Sequence, residues 1–271
     1  MIELMLLPFI AALILTGIHV YLGVHVVERG VIFVDLALAQ LAALGAVVSV
    51  LFGFSLHSPQ AYLFSLGFTF VGAALYAFTR LKDSHVPQEA VIGITYVVAA
   101  ALAVLVLDRI PGEASHLKEM LVGNIIFVGS AEITKIAVLY GLIGFFHYAF
   151  RKKFILISKD PDEAQREGIN VRLWDFLFYV TFGFVVTSSV AVAGVLLVFS
   201  FLIMPAVSTM LFTNDFKKRL LWGWGLGGLT SLAGIYASGR FDLPTGAAIV
   251  CAFGMLVIGA YCARLILRRN S

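Results

Sequence analysis

The sequence predicts an all-α protein that crosses a membrane about nine times as a polytopic helical bundle. Hydrophobic residues make up 61% of the chain and charged residues only 13%, whereas about a quarter of the residues in a soluble domain are charged. The mean hydropathy is +0.98, and apolar runs repeatedly reach the roughly 20 residues that span a bilayer. Because the chain is apolar over nearly its whole length, residues 1–271 are predicted to form a single transmembrane domain.

Polar breaks between the apolar runs place the spans in order along the chain. The predicted spans are 5–26, 32–54, 60–80, 88–107, 132–150, 173–190, 194–212, 220–238 and 245–267. The weakest division separates the sixth and seventh spans, at SSVAVAGV. A broken or re-entrant helix there would reduce the count from nine to eight.

The lysines and arginines predict how the bundle is oriented. Fifteen of the nineteen fall on one side of the nine-span arrangement. They are Arg29, Arg80, Lys82, Arg151, Lys152, Lys153, Lys159, Arg166, Arg172, Lys217, Lys218, Arg219, Arg264, Arg268 and Arg269. The positive-inside rule places this side in the cytoplasm, which puts the N-terminus outside and the C-terminus inside.

The longest strongly polar run, Ser158–Asp175, lies on that cytoplasmic side and carries the signals of a short helix. Asp160 can cap the first turn, and Pro161 suits the first helical position. Glu163 completes a capping-box spacing with Asp160, and Gly168 is a natural stop. We therefore predict a helix of about two turns within residues 158–170, joined to long apolar segments.

Several kinds of chemistry are absent from the sequence. It contains no G-x-x-x-x-G-K-[ST] phosphate loop, no H-E-x-x-H metalloprotease motif and no G-x-S-x-G nucleophile elbow. The formal charge of +3 is too small to indicate nucleic-acid binding. The chain is therefore predicted not to be an enzyme, and any ATP hydrolysis would belong to a separate chain.

Asp35 is the main charged residue inside a predicted span. On a helix it shares one face with the small residues Ala39, Ala42, Ala46 and Ser49. That face could line a polar path for an ion, since charged groups inside a membrane are costly and usually functional. Alternatively, Asp35 could be stabilised by the dipole at the N-terminus of the helix and be hydrated at the membrane interface. The sequence leaves both alternatives open.

Gln40 and the six histidines are weaker candidates. Gln40 lies five residues after Asp35 and so points away from it, which favours a hydrogen-bonding role in packing. No two histidines have the i, i+4 spacing of a helical metal site, so hydrogen-bonded or interfacial roles are predicted for all of them. They are His19, His25, His57, His85, His116 and His147.

Two other strings are interpreted as structural. VAGVLLVFSFLIMPAVSTMLF places Pro205 inside an apolar segment, where a proline breaks or kinks a helix. RFDLPTGAAIV places Asp242, Pro244 and Gly246 at the last outer turn, with Thr245 able to cap the final span.

Together these strings resemble the permease (transmembrane) subunit of the zinc/manganese/iron metal-uptake ABC transporter family. The similarity runs from Gly23 to about Ala260, and begins with GVHVVERGVIFVD (23–35). It continues through EAVIGITYVVAAALAV (89–104) and MLVGNIIFV (120–128). The most specific parts are ISKDPDEAQREGINVRLWDFL, then VAGVLLVFSFLIMPAVS, then DLPTGAAIV.

The resemblance implies a permease of the bacterial inner membrane that imports a divalent metal ion and holds no stable cofactor. Residues 158–170 would be its cytoplasmic coupling helix, docking on a separate ATP-binding subunit. The residues implied in that contact are Ser158, Asp160, Pro161, Asp162, Glu163, Ala164 and Gly168. Further implied partners are an extracytoplasmic metal-binding protein and a second permease subunit, expected to be identical.

The chain departs from the family pattern at the metal ligands. Many members of the family have a histidine four residues after the aspartate, where this chain has Ala39. Shifting the register by one aligns Gln40 with that histidine and Gly45 with the family's glycine, but Asp35 then loses its match. Histidine suits zinc, whereas oxygen ligands suit manganese and other hard ions. The missing imidazole therefore favours a harder ion, a weakly held ion or a different set of ligands, and it does not identify the ion.

An ion-coupled secondary transporter is the alternative function. It would require paired intramembrane charges or matching broken helices in two halves of the chain, and neither is evident. A membrane enzyme ranks third, because no nucleophile and base are clustered in the sequence.

Overall fold

The computed structural model describes residues 2–56, 58–80, 86–109 and 125–269. Within these ranges the chain forms eleven α-helices and a 3-10 turn at Ile125–Phe127, with no strand. The helices are α1 (Ile2–Arg29), α2 (Val34–Leu51), α3 (Pro59–Thr79), α4 (Gln88–Leu107), α5 (Ser130–Ala149), α6 (Arg151–Lys159), α7 (Pro161–Arg166), α8 (Val171–Ala193), α9 (Val195–Met210), α10 (Phe216–Phe241) and α11 (Thr245–Arg269). The all-α prediction is confirmed. Lys82, Lys118 and most of the string 120–128 lie outside the described residues.

Six helices of the described chain are long and apolar enough to cross a membrane: α1, α2, α3, α4, α8 and α11. Helices α5 and α6 add a seventh if this pair, bent by 76°, is taken as one span. Helix α9 is apolar but shorter, and α10 is not among the six. Each of the nine predicted spans coincides with one of the helices, but the count of nine crossings stays a prediction.

The apolar segment from α8 to α9 is interrupted at Gly194. This residue has φ of 75° and ψ of 159°, a conformation that glycine adopts far more easily than other residues. The break coincides with SSVAVAGV, the weakest division in the sequence. Helix α9 is continuous through Pro205, so the interruption lies at the glycine and not at the proline.

The helices group into two compact units that alternate along the chain. The first comprises Met1–Val27, Leu121–Leu142 and Ala191–Ser271, and the second comprises Glu28–Met120 and Ile143–Val190. The single-domain prediction concerned the membrane domain as a whole and stays a prediction.

In the first unit, α10 packs closely on its neighbours through two glycines. A Cβ atom on Gly223 would lie 2.5 Å from Val20 Cγ1, and one on Gly227 would lie 2.5 Å from Thr16 Cγ2. Both positions would also be within 4 Å of the Pro205 ring. The two glycines are four residues apart, a small-xxx-small spacing that lets helices approach closely.

The turn between α10 and α11 also belongs to the first unit. Asp242 adopts a left-handed conformation with φ of 53°, and its N–H donates to the Ser238 carbonyl to end α10. Thr245 was expected to cap the final span, but it is the first residue of α11 and its hydroxyl lies 2.8 Å from the Ser238 hydroxyl. The residue that precedes the helix is Pro244, and Gly246 lies in the first turn.

In the second unit, α2 packs against α3 and α4. The approach of α2 to α3 is close enough to require a glycine, because a Cβ atom on Gly45 would lie 2.6 Å from the Phe64 carbonyl oxygen and 2.8 Å from Ser65 Cα. Backbone atoms cannot rotate away as a side chain can, so the two helices would have to separate to accommodate any larger residue.

We therefore expect Gly45→Ala to destabilise the protein by about 1–3 kcal/mol, as overpacking of a close interface does. Gly67→Ala on α3 is the matched control, since a Cβ atom there meets nothing within 4 Å. The measurement is the thermal unfolding midpoint of the purified protein in detergent. Equal midpoints for the two variants would contradict the close approach of α2 and α3.

Candidate functional site

Asp35 lies in the first turn of α2 with its carboxylate enclosed by protein. The residue is only 1% exposed, and neither carboxylate oxygen has a hydrogen-bond partner among the described residues. The position at the helix N-terminus agrees with one alternative from the sequence, but protein shields the carboxylate from solvent instead of leaving it at the interface. A buried carboxylate without a partner is costly unless a proton or a cation neutralises it.

Glu89 contributes a second carboxylate close to the start of α2. It lies in the first turn of α4, and its Oε1 accepts a hydrogen bond of 2.9 Å from the Phe33 N–H. Its Oε2 is shielded from solvent and has no partner among the described residues. Glu89 was not among the candidates predicted from the sequence, although a carboxylate at the start of an apolar span was an available signal.

The small-residue face of α2 is buried along its length. Ala39, Ala42, Ala46 and Ser49 are all buried, and the Ser49 hydroxyl donates to the Ala46 carbonyl at 2.6 Å. Gln40 is buried as well, at 9% exposure. Across the described ranges, no group of three or more His, Cys, Asp or Glu side chains is arranged to hold a metal ion. Asp35 and Gln40 thus stay candidate ligands for a passing ion and do not form a closed metal site.

The described histidines make structural contacts. His147 Nε2 lies 2.8 Å from the Thr181 hydroxyl, and its ring stacks on Phe154 at 4.2 Å. His19 Nδ1 lies 2.8 Å from the Leu15 carbonyl, within its own helix. His25 packs against the rings of Tyr21 and Phe216. The remaining three, His57, His85 and His116, lie outside the described residues.

The polar run forms the short helix α7, capped as predicted at both ends. Asp160 Oδ1 accepts a hydrogen bond of 2.9 Å from the Glu163 N–H, and Pro161 is the first helical residue. Beyond the end of the helix, Gly168 has φ of 78° and its N–H donates to the Gln165 carbonyl at 3.0 Å.

Two details differ from the prediction of one helix with a reciprocal capping box. The helix is only six residues long, because residues 158 and 159 belong to the preceding helix α6. Glu163 does not complete the box: the Asp160 N–H donates to the Leu156 carbonyl at 2.7 Å, and the Glu163 carboxylate pairs with Arg166 at 2.9 Å. The amide that Glu163 would have bonded is thus already satisfied by the preceding helix.

The seven residues that the resemblance places in a partner contact differ in their exposure to solvent. Asp160, Asp162 and Gly168 are exposed, and Pro161 and Glu163 are half-buried. Ser158 and Ala164 are buried in the chain. Only the first five could present their surface to another protein in this structure.

A cavity of about 730 Å³ opens beside α7 in the second unit. Its wall combines the N-terminal turn of α7 with the start of α8 and a basic residue at the end of α3. The lining residues are Arg80, Pro161, Asp162, Gln165, Ile169, Asn170, Val171 and Arg172.

A buried ionic cluster lies in the same unit, around Asp175 near the start of α8. Asp175 Oδ1 pairs with Arg29 at 2.6 Å, and Oδ2 pairs with Arg80 at 2.7 Å. Arg29 Nε also donates to the Ser158 hydroxyl at 2.9 Å, and its guanidinium lies 3.9 Å above the Phe178 ring. From the sequence, Arg29 and Arg80 were assigned to the basic side and Asp175 to the end of the polar run, and no contact among them was predicted.

The sequence matches a known family over almost all of its length. The profile of the ABC 3 transport family aligns with residues 1–264. The chain belongs to the ABC 3 transport family. The family resemblance inferred from the motifs is thereby confirmed. The chain is a multi-pass membrane permease of the ABC type.

Curated relatives of this permease are similar over most of their length. A protein of Listeria innocua named "Manganese transport system membrane protein MntC" is 26% identical over 230 residues, covering 84% of this chain and 79% of the relative. A Haemophilus influenzae protein named "Probable iron transport system membrane protein" is 27% identical, covering 96% of this chain and 93% of the relative.

The fold of the permease is also that of a solved structure. PsaBC from Streptococcus pneumoniae, determined in complex with a Fab, contains a chain with a TM-score of 0.79 and 20% identity to this one. The alignment covers 96% of this chain and 91% of that chain. At this identity the likeness shows the fold alone.

The cap on α7 leads to a test of local stability. Asp160→Ala removes the side chain that accepts from the Glu163 N–H, which costs a helix about 1 kcal/mol. We therefore expect faster hydrogen exchange of the amides in residues 161–166. Asp160→Asn is the matched control, since asparagine caps equally well. Equal exchange in both variants would show that the cap does not hold α7.

Proposed function

We propose that the chain is the membrane-spanning subunit of an ABC importer that moves a divalent metal ion, manganese or iron, into the cytoplasm. Hydrolysis of ATP by a separate subunit would drive the movement. The proposal is supported by the family and by the relatives named for manganese and for iron transport. The secondary transporter, the alternative from the sequence, has no comparable support.

The metal-ion proposal rests mainly on the environment of the Asp35 carboxylate. Its enclosed carboxylate lacks any hydrogen-bond donor among the described residues, so a cation passing beside α2 would remove an unfavourable buried charge. Asp35 offers two carboxylate oxygen atoms, and Gln40, which points away from Asp35 on the same helix, offers an amide oxygen. Oxygen ligands suit manganese better than zinc, which more often takes nitrogen and sulfur ligands. Zinc is therefore the least favoured of the three metals.

Helix α7 is the proposed docking site for the ATP-binding subunit. Asp162 and Gly168 are exposed there, and the cavity beside the helix offers a recess for a side chain of the partner. The positive-inside rule supports a cytoplasmic location for this segment, with the N-terminus of the chain outside. ATP reaches only that side of the membrane.

Two more partners complete the proposed importer. An extracytoplasmic metal-binding protein would deliver the ion to the outer face, and a second copy of this chain would form the other half of the translocation path. Both follow from the resemblance of the motifs to the metal-uptake importers.

The metal-ion proposal is tested by Asp35→Asn in the complex reconstituted into vesicles. The substitution preserves size but removes the charge, so we expect ATP-dependent uptake of manganese and iron to fall at least about tenfold, as loss of a metal-site contact does. Uptake is measured with manganese, iron and zinc in competition.

Asp242→Asn is the matched control for Asp35→Asn. Asp242 is exposed, and asparagine tolerates its left-handed conformation. Uptake at the normal rate with Asp35→Asn would assign the carboxylate to stabilising the N-terminus of α2 and not to transport.

The docking proposal is tested by reversing two charges on α7, with Asp162→Lys and Glu163→Lys combined. The chain should still fold, since the pair of Glu163 with Arg166 is exposed and such pairs contribute only about 0.2–1 kcal/mol. We expect loss of ATP-driven uptake and weaker co-purification of the ATP-binding subunit.

The control for this double variant is Asp108→Lys combined with Glu132→Lys. It makes the same change in charge at two exposed positions on the predicted outer side, and it should leave co-purification of the ATP-binding subunit unchanged. Normal uptake by the α7 variant would remove the docking role from this helix.

A further inference from the structure

The ionic cluster around Asp175 joins three helix ends to the segment that carries α7. Arg29 is the last residue of α1, Arg80 directly follows α3, and Asp175 lies near the start of α8. Ser158 belongs to α6, two residues before the Asp160 cap of α7. The guanidinium of Arg29 contacts Asp175 and Ser158 at once, so it ties α6 directly to the Asp175 carboxylate.

The cluster is buried and costly to assemble. The side chains of Arg29 and Asp175 are 0% and 1% exposed, and that of Arg80 is 20% exposed. Buried ion pairs often add little net stability, because the cost of desolvating the charges offsets their attraction. They do resist a change of geometry, since removing one partner leaves the other charge buried and unpaired.

Charge and geometry make Arg29 the least replaceable member. Asp175 supplies one negative charge for two guanidinium groups, and Arg29 Nη2 has no hydrogen-bond partner among the described residues. The planar fork of arginine reaches Ser158 with Nε and Asp175 with Nη1. A lysine would keep the charge but has a single nitrogen, so it could not hold both contacts in this geometry.

We propose that Arg29, held by Asp175, is the positioning residue that transmits movement of α7 to the membrane helices. The link runs from α7 through Ser158 to Arg29 and Asp175, with Arg80 fixing the second carboxylate oxygen to the end of α3. Charge-assisted hydrogen bonds of 2.6 to 2.9 Å make it stiff. The inference rests on the proposed function, since it requires a partner subunit that moves α7.

The test measures metal transported per ATP hydrolysed, in vesicles that contain the whole complex. Ser158→Ala removes only the hydroxyl that Arg29 contacts, and the ATP-binding subunit should still bind. We expect transport per ATP to fall about tenfold while hydrolysis continues, because a hydrogen bond to a charged group changes an equilibrium by about that factor.

Arg29→Lys should lower the same ratio at least as far. The double variant Ser158→Ala/Arg29→Lys should be no worse than Arg29→Lys alone, since Ser158 acts through the arginine. Ser231→Ala is the matched control: Ser231 is equally buried, but its hydroxyl donates to the Gly227 carbonyl within its own helix.

The outcomes separate the inference from the proposed function. If the unmodified complex shows no ATP-dependent metal uptake, the proposed function is wrong. If it transports metal and Ser158→Ala keeps the normal ratio of metal to ATP, the inference is wrong. Loss of the ATP-binding subunit from the Ser158→Ala complex would also overturn it, because the cluster would then serve docking and not transmission.

Discussion

The absence of water inside a bilayer is the constraint on which the rest of this structure depends. A polar group at membrane depth must find its partner within the protein, so the described chain is helical and its apolar helices satisfy their own backbone groups. The same constraint makes the few charged groups on the apolar helices informative. Each of them must be paired, exposed or left at a cost that some function explains.

Two buried aspartates of the second unit differ in this respect: one is paired and the other is not. Asp175 is buried and fully paired, with one arginine on each carboxylate oxygen. Asp35 is buried to the same degree, and neither of its oxygens has a partner among the described residues. A paired carboxylate holds helix ends in place, whereas an unpaired one can accept a cation without breaking existing contacts. This contrast supports a role for Asp175 in linking helix ends and a transport role for Asp35.

Local signals in the sequence predicted local structure well. The caps of α7 at Asp160 and Gly168 were predicted, because a cap depends on residues within a few positions of one another. The break at Gly194 also falls within SSVAVAGV, the division that the sequence marked as the weakest. The errors were also local. The amide that Glu163 would have capped was taken by Leu156, a residue of a helix that the sequence analysis did not separate from the polar run.

Composition and motif order alone determined that this protein is an all-α membrane permease and identified its family. Hydropathy and motif spacing are properties of the sequence itself and do not depend on which residues are in contact. Only the tertiary structure decided which polar residues are paired. Arg29 and Asp175 are far apart in sequence, as are Phe33 and Glu89, and no periodicity or spacing rule relates them. Burial was decided at the same level: Asp35 could have been hydrated at the interface, and Ser158 could have faced a partner. Both are buried because neighbouring helices cover them, which depends on how the chain packs and not on any residue nearby in sequence.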